Sequence, residues 1–499
     1  MFDICDFGAV ADGTTMNTAA IRAAIAAAVA AGGGIVHVPA GTFLTGTVRL
    51  HSHVTLDLAP GAVLLGSNDL ADYEFCSWGH HDDRCPWHLV VAEDAHHIAI
   101  TGGGRIDGNG AYWREPTRAH AWAFYPEKPL RPSPMVEISR CTDIRIRDAD
   151  FHNPGGWTLH LHDCDRASIT GITIDNQIDG TYLYPNSDGI DLTGVHNVTI
   201  SDCFIRTGDD AIALKTTIDS RSCEYITVTN CVLESACAAI RIGYESDQDF
   251  RYCAFSNITI RNASRAIDLL TFSGGNIEHC SFTNIVGRCM SGWCLDRVIE
   301  INADFTDSPY KVKIPEHPNY GFIYPPRPPG AIRGITLTNI DIETCGRVLM
   351  AAAPDAVIDD ITIDHLRLHY PMLEDPAEIG PRAGGKGFFA TEDLTDFRGA
   401  RAAIVAQRIR DLRLRDLRIH WPSYPVDPDR VELLRSPNRL GNAACFDDDD
   451  AVRSGATAPP FHALWLREVS GSIDAVLPTA SVPDMPAAHI ESGDITTIP

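Results

Sequence analysis

The chain is short of positive charge, of paired cysteines and of long apolar runs, and each shortage removes a class of function. With 66 acidic against 41 basic residues the formal charge is −25. That disfavours nucleic acid and anionic membranes as partners and sets a long-range penalty against polyanionic substrates. No apolar run is long enough to span a bilayer. The 15 cysteines are scattered singly, without a CxxC pair, which suits a reducing compartment better than a disulfide framework. Cys203 and Cys231 recur at equal positions of a repeat, as apolar core fillers do. No charged segment followed by an apolar stretch precedes the strand pattern at Met1–Val10, so a cytoplasmic location is expected. A secreted chain whose leader had been removed would read the same.

What the chain does have is repetition. The opening D-F-G-A-V-A-D-G-T-T-M-N-T-A-A-I leads into an Ala-rich helix from Thr18 to about Ala31, closed by Gly32-Gly33-Gly34. Asn17 or Thr18 is the expected N-cap, and the glycines supply a left-handed exit. Alternating strands follow at Ile35–Val38, Thr47–Leu50 and Val54–Leu58. A template of apolar-x-apolar, a short polar turn and apolar-x-apolar then recurs. It reads Ile144-Arg-Ile146, Val198-Thr-Ile200, Ile226-Thr-Val228, Ile258-Thr-Ile260, Ile335-Thr-Leu337, Ile361-Thr-Ile363 and Leu412-Arg-Leu414. Short strands recurring at roughly thirty residues or fewer imply stacked coils. The Leu and Asn ladder of a leucine-rich repeat is missing, and a propeller blade needs about forty residues. A right-handed parallel β-helix is therefore expected, with the amphipathic helix covering the open edge of its first coil. Insertions at about 73–92, 111–134, 305–330, 371–400 and 422–460 should wall a cleft, with Asp447–Asp450 a solvated loop. A single domain is expected over 1–499: a cap and first coils to 66, central coils with the cleft over 67–300, and C-terminal coils with long loops beyond. Ala463–Leu466 returns to strand character and caps the far end.

Two strings within the central coils carry chemistry. N-S-D-G-I-D at 186–191 and G-D-D-A-I-A-L-K at 208–215 place Asp188, Asp209 and Asp210 one coil apart. Like charges within reach of each other force at least one pKa upward, and a raised carboxylic acid beside an ionised one is what cleavage of a glycosidic bond requires. Solvated turn aspartates would account for one string, not both. Lys215 lies just past the pair, where an outward cation binds substrate or lowers a neighbouring aspartate's pKa. Trp157 and Trp293 read as sugar platforms or as core. The loop G-H-H-D-D-R-C-P-W-H at 79–88 fits no zinc spacing; His81, Arg84 and Trp87 suit a cleft wall or a structural loop. No metal or other cofactor is expected.

Residues 3–66 and 186–215 together resemble glycoside hydrolase family 28, the polygalacturonases and their relatives. Asn153-Pro-Gly-Gly-Trp157-Thr-Leu-His160 is similar to a segment that precedes the catalytic coil in that family. The resemblance implies an all-β, single-stranded right-handed parallel β-helix (pectin-lyase-like) with an N-terminal capping helix, acting on a carbohydrate by inversion. Asp188 matches the acid of the family's N-T-D, with Ser187 in place of Thr, and Asp209 and Asp210 match its double aspartate. Asp209 is then the general acid, and Asp188 and Asp210 activate water. Asn186, Trp157, His160, Lys215, Arg241 and Asp268 complete the substrate-binding set. In the next coils the match breaks. Aligning G-D-D-A-I-A-L-K on A-C-A-A-I-R-I-G puts Ala238 above Asp210, where the family carries His. The family's R-I-K falls on Asp268-Leu269-Leu270. Arg241 lies above Ala213 and beneath Asp268, either as an ion pair with Asp268 or as a substrate ligand. The loss of the usual cationic clamp shifts the expected substrate away from plain polygalacturonate. Two other functions remain open: a β-helix lyase, with Ca2+ on the three aspartates and Arg241 as base, and a non-catalytic carbohydrate-binding β-helix.

Overall fold

A computed structural model describes residues 1–77, 85–114, 130–176, 186–290, 297–304, 316, 318, 321, 327–344, 346–370, 400–421 and 461–498. His81, Arg84, Trp293, Asp447–Asp450 and most of the expected insertions lie outside the described residues.

The chain winds as a parallel β-helix whose strands stack into three ladders. The first runs through Gly34–Val38, Val54–Leu58, His96–Thr101, Thr142–Arg147, Asp165–Thr170, His196–Ser201 and Cys223–Thr229. The second includes Gly41–Thr45, Ala62–Gly66, Arg105–Asp107, Asp150–His152, Thr173–Asp175, Phe204–Thr207 and Val232–Ser235. From Phe250–Asn262 onward one long strand serves both. The third ladder holds Leu159–His162, Ile190–Thr193, Ile212–Thr216, Ala238–Ser246, Arg265–Thr271, Arg297–Ala303 and Arg347–Ala352. All pairings are parallel, so each coil advances about 4.8 Å along the axis.

Alternation drives the packing. Ile144, Ala167, Val198, Ile226 and Cys253 stack inward on one another, as do Ile146, Ile169, Ile200, Val228 and Phe255. Ile258–Ile260 departs from the expected template: it stacks on Val232–Leu233 in the second ladder, while Val228 lies under Phe255. The long strand hides the corner between two ladders, so the pattern there has two matching frames. Cys203 and Cys231 are buried one above the other, as expected.

Each coil turns at residues with left-handed backbone, which favours Asn and Asp. Asp202, Asn230, Asn257, Asn284 and Asn339 form such a row, with φ between 54° and 59°. Asn284 Nδ2 donates to Asn257 Oδ1 at 3.0 Å, and Asn339 Nδ2 to Asn284 Oδ1 at 2.8 Å.

The capping helix spans Thr18–Ala30 and buries Ile21, Ala24, Ile25 and Ala28 against the first coil. That spacing is one helical face. Asn17 does not cap it through its side chain. Its amide instead donates to the Val10, Thr15 and Leu44 carbonyls, tying the opening segment to the second ladder. The far end continues past the expected strand: His462–Asp474 carries a further layer, Ala488–Ile498.

Candidate active site

The three aspartates collect where the chain enters the third ladder. Asp188 precedes the strand Ile190–Thr193, and Asp209 and Asp210 precede Ile212–Thr216 one coil on. Gly189 is required between them, since a Cβ there would meet the Ala211 carbonyl at 2.5 Å. Ser187 Oγ accepts the Gly208 N–H at 3.1 Å, so the small hydroxyl beside Asp188 holds the turn that carries the acidic pair. The hydroxyls of Thr207 and Ser235 both donate to the Asp209 carbonyl at 2.6 Å, fixing its backbone from either side.

The three acids have different surroundings. Asp209 is partly exposed, whereas Asp188 and Asp210 are buried. Asp209 accepts backbone N–H groups from Asn186 (3.0 Å) and Asp210 (3.1 Å), and among the described residues no ion pair reaches it. Burial, then the charge of Asp210, pushes its pKa up to about 6. Asp210 accepts the Ala238 N–H at 3.1 Å and pairs with Arg241 at 2.8 Å. Asp188 lies 3.5 Å from Lys215 Nζ. Burial and then Asp191 nevertheless hold its pKa well above the ordinary carboxylate range. A partly exposed carboxyl that keeps its proton near pH 6, beside two buried carboxyls, can donate to a leaving group.

The expected register is present: Ala238 lies over Asp210, Arg241 pairs with Ala213 and Asp268 with Arg241. Of the two readings of Arg241, the ion pair with Asp268 is formed, at 3.3 Å, and the same guanidinium also reaches Asp210. Four expected substrate ligands need correction. Asp268 is fully buried, and its Oδ2 accepts from Arg265 Nε at 2.7 Å as well as from Arg241. Lys215 leaves the coil outward but not into solvent: it is buried among Asp188, Asp191 and Glu245, over the Trp157 ring at 3.9 Å. Burial alone would lower the pKa of its ammonium, but Glu245, Asp191 and Asp188 outweigh that and raise it. Trp157 is 1% exposed, so its indole is a floor for Lys215 and not a sugar platform. His160 is fully buried, with Nδ1 2.7 Å from Glu137 and Nε2 2.9 Å from Thr193. Asn186 stays at the rim and acts on Asp209 through its backbone.

Sequence reasoning missed Asp191, Glu245, Cys237 and Arg265. Asp191 is fully buried 3.3 Å from Lys215, and burial pushes its pKa up to about 7. Its signal was present, since the residue closes the string N-S-D-G-I-D. Cys237 accepts from Arg241 (3.2 Å) and Arg265 (2.8 Å). Its sulfur and single oxygens of Asp209 and Asp210 lie within 4.8 Å of one another. Two guanidiniums against the thiol make that cluster a poor cation site, and Ca2+ prefers six or more oxygens.

A family model described as glycosyl hydrolases family 28 matches residues 34–302, a span covering all three aspartates. The chain belongs to glycosyl hydrolases family 28. A second model, rhamnogalacturonase A/epimerase, pectate lyase-like, matches residues 1–58. Among curated relatives, a probable polygalacturonase of Vitis vinifera is 33% identical over 233 residues, covering 44% of this family 28 chain and 45% of that protein. An exo-poly-alpha-D-galacturonosidase of Dickeya chrysanthemi is 27% identical over 257 residues, 42% and 41% of the two chains. The chain thus spans under half the length of these relatives. The family 28 exopolygalacturonase of Yersinia enterocolitica superposes with a TM-score of 0.64 at 20% identity, over 84% of this chain and 75% of that one. A hyperthermoactive exopolygalacturonase of Thermotoga maritima gives 0.57 at 23%, over 74% and 86%. These two likenesses bear on the fold.

Proposed function

We propose that the protein is an inverting glycoside hydrolase that cleaves a glycosidic bond in a pectin-type poly- or oligosaccharide. The observation that carries this reading is the difference between Asp209 and its neighbours. Asp209 is the partly exposed acid, with no ion pair among the described residues, while Asp188 and Asp210 are buried against Lys215 and Arg241. Asp209 protonates the leaving oxygen. Asp210, paired with Arg241, takes the proton from a water on the opposite face of the sugar, and Asp188 helps to orient that water. We read the chain as one β-helix domain that carries this site.

The electrostatics argue for a substrate other than unsubstituted polygalacturonate. Where the resemblance expects His, Arg and Lys stand Ala238, Asp268 and Leu270, and among the described residues Arg241, Arg265 and Lys215 are already engaged by Asp210, Asp268, Asp188, Asp191 and Glu245. A uronate carboxylate entering here meets paired cations and an acidic surround.

The test is reducing-end release over a panel of pectic and neutral glycans, with and without chelator. Hydrolysis of a substituted or neutral-rich glycan, with weak release from polygalacturonate, is expected. A product absorbing in the near ultraviolet, lost in chelator, would instead establish a lyase. No turnover on any glycan would favour a binding protein. Efficient cleavage of polygalacturonate would remove the specificity argument and leave the aspartates' roles standing.

A further inference from the structure

Away from the aspartates, beside the capping helix, three imidazoles converge on the surface. His53 and His97 occupy successive positions of a left-handed turn row, with φ of 66° and 56°, and His96 precedes His97. One ring nitrogen from each of the three lies within 4.8 Å of the others. His96 Nδ1 and His97 Nδ1 are 3.0 Å apart.

We propose that His53, His96 and His97 form a binding site for a borderline divalent cation, with Zn2+ as its test ligand, that ties the first two coils to the capping helix.

The alternative is ordinary ring stacking, and the same row supplies the comparison. Farther along it, Tyr225, Tyr252 and His279 stack with interplanar angles of 11° and 5°. Within the row His53 and His97 keep a looser form of that stacking, at 26° with centroids 5.2 Å apart, and the departure is His96, which enters from outside the row. His96 stands edge-on, at 87° to His53 and 83° to His97, with centroids 4.6 and 5.3 Å away. Turned this way, the rings direct nitrogens towards one another. Two ring nitrogens 3.0 Å apart hold one proton between them at best, whereas a cation takes a lone pair from each. Zn–N bonds of about 2.0–2.1 Å in a tetrahedron put neighbouring nitrogens roughly 3.3–3.4 Å apart, so the observed pair needs little movement. Imidazole suits Zn2+, Ni2+ and Cu2+, and a net charge of −25 raises the local concentration of cations. Asp143 approaches His97 Nδ1 at 3.9 Å, but both its oxygens accept from Arg166 at 2.8 Å. The fourth position therefore belongs to water.

The backbone explains what such an ion would do. The His53 carbonyl accepts the Gly34 N–H at 2.9 Å, just past the capping helix, and the His53 N–H donates to the His96 carbonyl at 3.0 Å. Gly33 packs so tightly there that a Cβ would lie 2.7 Å from His53. A cation on the three rings would join the helix exit, the first coil and the second.

The experiment uses the full chain, stripped with chelator and titrated with Zn2+ by calorimetry, with melting followed in parallel. One tightly bound Zn2+ per chain and a rise in Tm with free Zn2+ are expected. The double variant His53→Asn, His97→Asn keeps residues that adopt the left-handed turn, so its metal-free Tm should match wild type. Loss of two ligands should weaken Zn2+ binding by more than the roughly 10–100-fold that outer-sphere partners are worth, and abolish the Tm rise. Absence of one-to-one uptake by the wild type, or uptake unchanged in a folded double variant, would overturn the proposal. Hydrolytic activity should be the same with and without Zn2+, which keeps this test separate from that of the aspartates.

Discussion

Replacing Asp209 with Asn removes a proton donor while nearly preserving shape, and its consequences can be worked out for both rate and stability. General acid assistance is worth about 10²–10⁴-fold, so kcat for glycan hydrolysis should fall by that factor. For stability, the folded pKa of Asp209 is raised to about 6 from 3.8. Between those values the folded chain holds a proton that the unfolded chain releases, so this group's contribution to stability declines as pH rises through the window and is flat above it. Two pKa units amount to about 3 kcal/mol, and partial exposure of the side chain reduces this to about 1–2 kcal/mol by solvent screening. Unfolding entropy for 499 residues is about 1 kcal/mol per degree, giving about 1–2 °C. Asn also loses one of the two N–H bonds from Asn186 and Asp210, which costs about 1 kcal/mol at every pH. The variant should therefore melt at or slightly below wild type at pH 4 and gain about 1–2 °C on it by pH 7. Reducing-end assays and thermal melts at the two pH values read both effects. Activity within a few-fold of wild type would remove Asp209 from the acid role, and a Tm difference independent of pH would refute the raised pKa.

The pH profile of kcat/KM should fall on its alkaline side through an apparent pKa near 6, as the cluster around Asp209 loses its proton; a profile flat from pH 5 to 8 would contradict this. Arg241→Ala leaves Asp210 without its guanidinium while Asp268 retains Arg265. Breaking a buried pair costs about 3–5 kcal/mol, so Tm should drop by about 3 °C or more and kcat should fall as well. A rise in KM alone, with Tm unchanged, would instead make Arg241 a substrate ligand.

The β-helix and the register of its acidic coils were legible in the sequence because both rest on periodicity. Ala238 over Asp210 and Asp268 over Arg241 follow from aligning adjacent strings, and parallel pairing keeps that alignment in space. Burial of the outward row was not legible. Alternation says that Lys215, His160 and Asp268 point away from the core, which on a bare coil means water. Here each is buried in a polar network: Lys215 on Trp157 and three carboxylates, His160 between Glu137 and Thr193, Asp268 between two arginines. Apart from Arg265, three residues before Asp268, the partners come from other coils, from 23 residues away for Glu137 and His160 to 58 for Trp157 and Lys215, so local pattern does not name them. Asp191 was in view as the last residue of N-S-D-G-I-D, but its role was not, since that role depends on Lys215 in the coil above. Ile258–Ile260 was misplaced because a long strand spans two ladders without a break that the sequence marks.

The central claim is direct attack of water at the anomeric carbon opposite an acid at Asp209, with Asp210 as the base and Asp188 orienting the water. Proton NMR of the first-formed product, recorded before mutarotation, tests it in one measurement. The account predicts an anomeric configuration opposite to that of the substrate. Retention would contradict it, because retention proceeds through a covalent glycosyl intermediate on a carboxylate and not by direct attack of water.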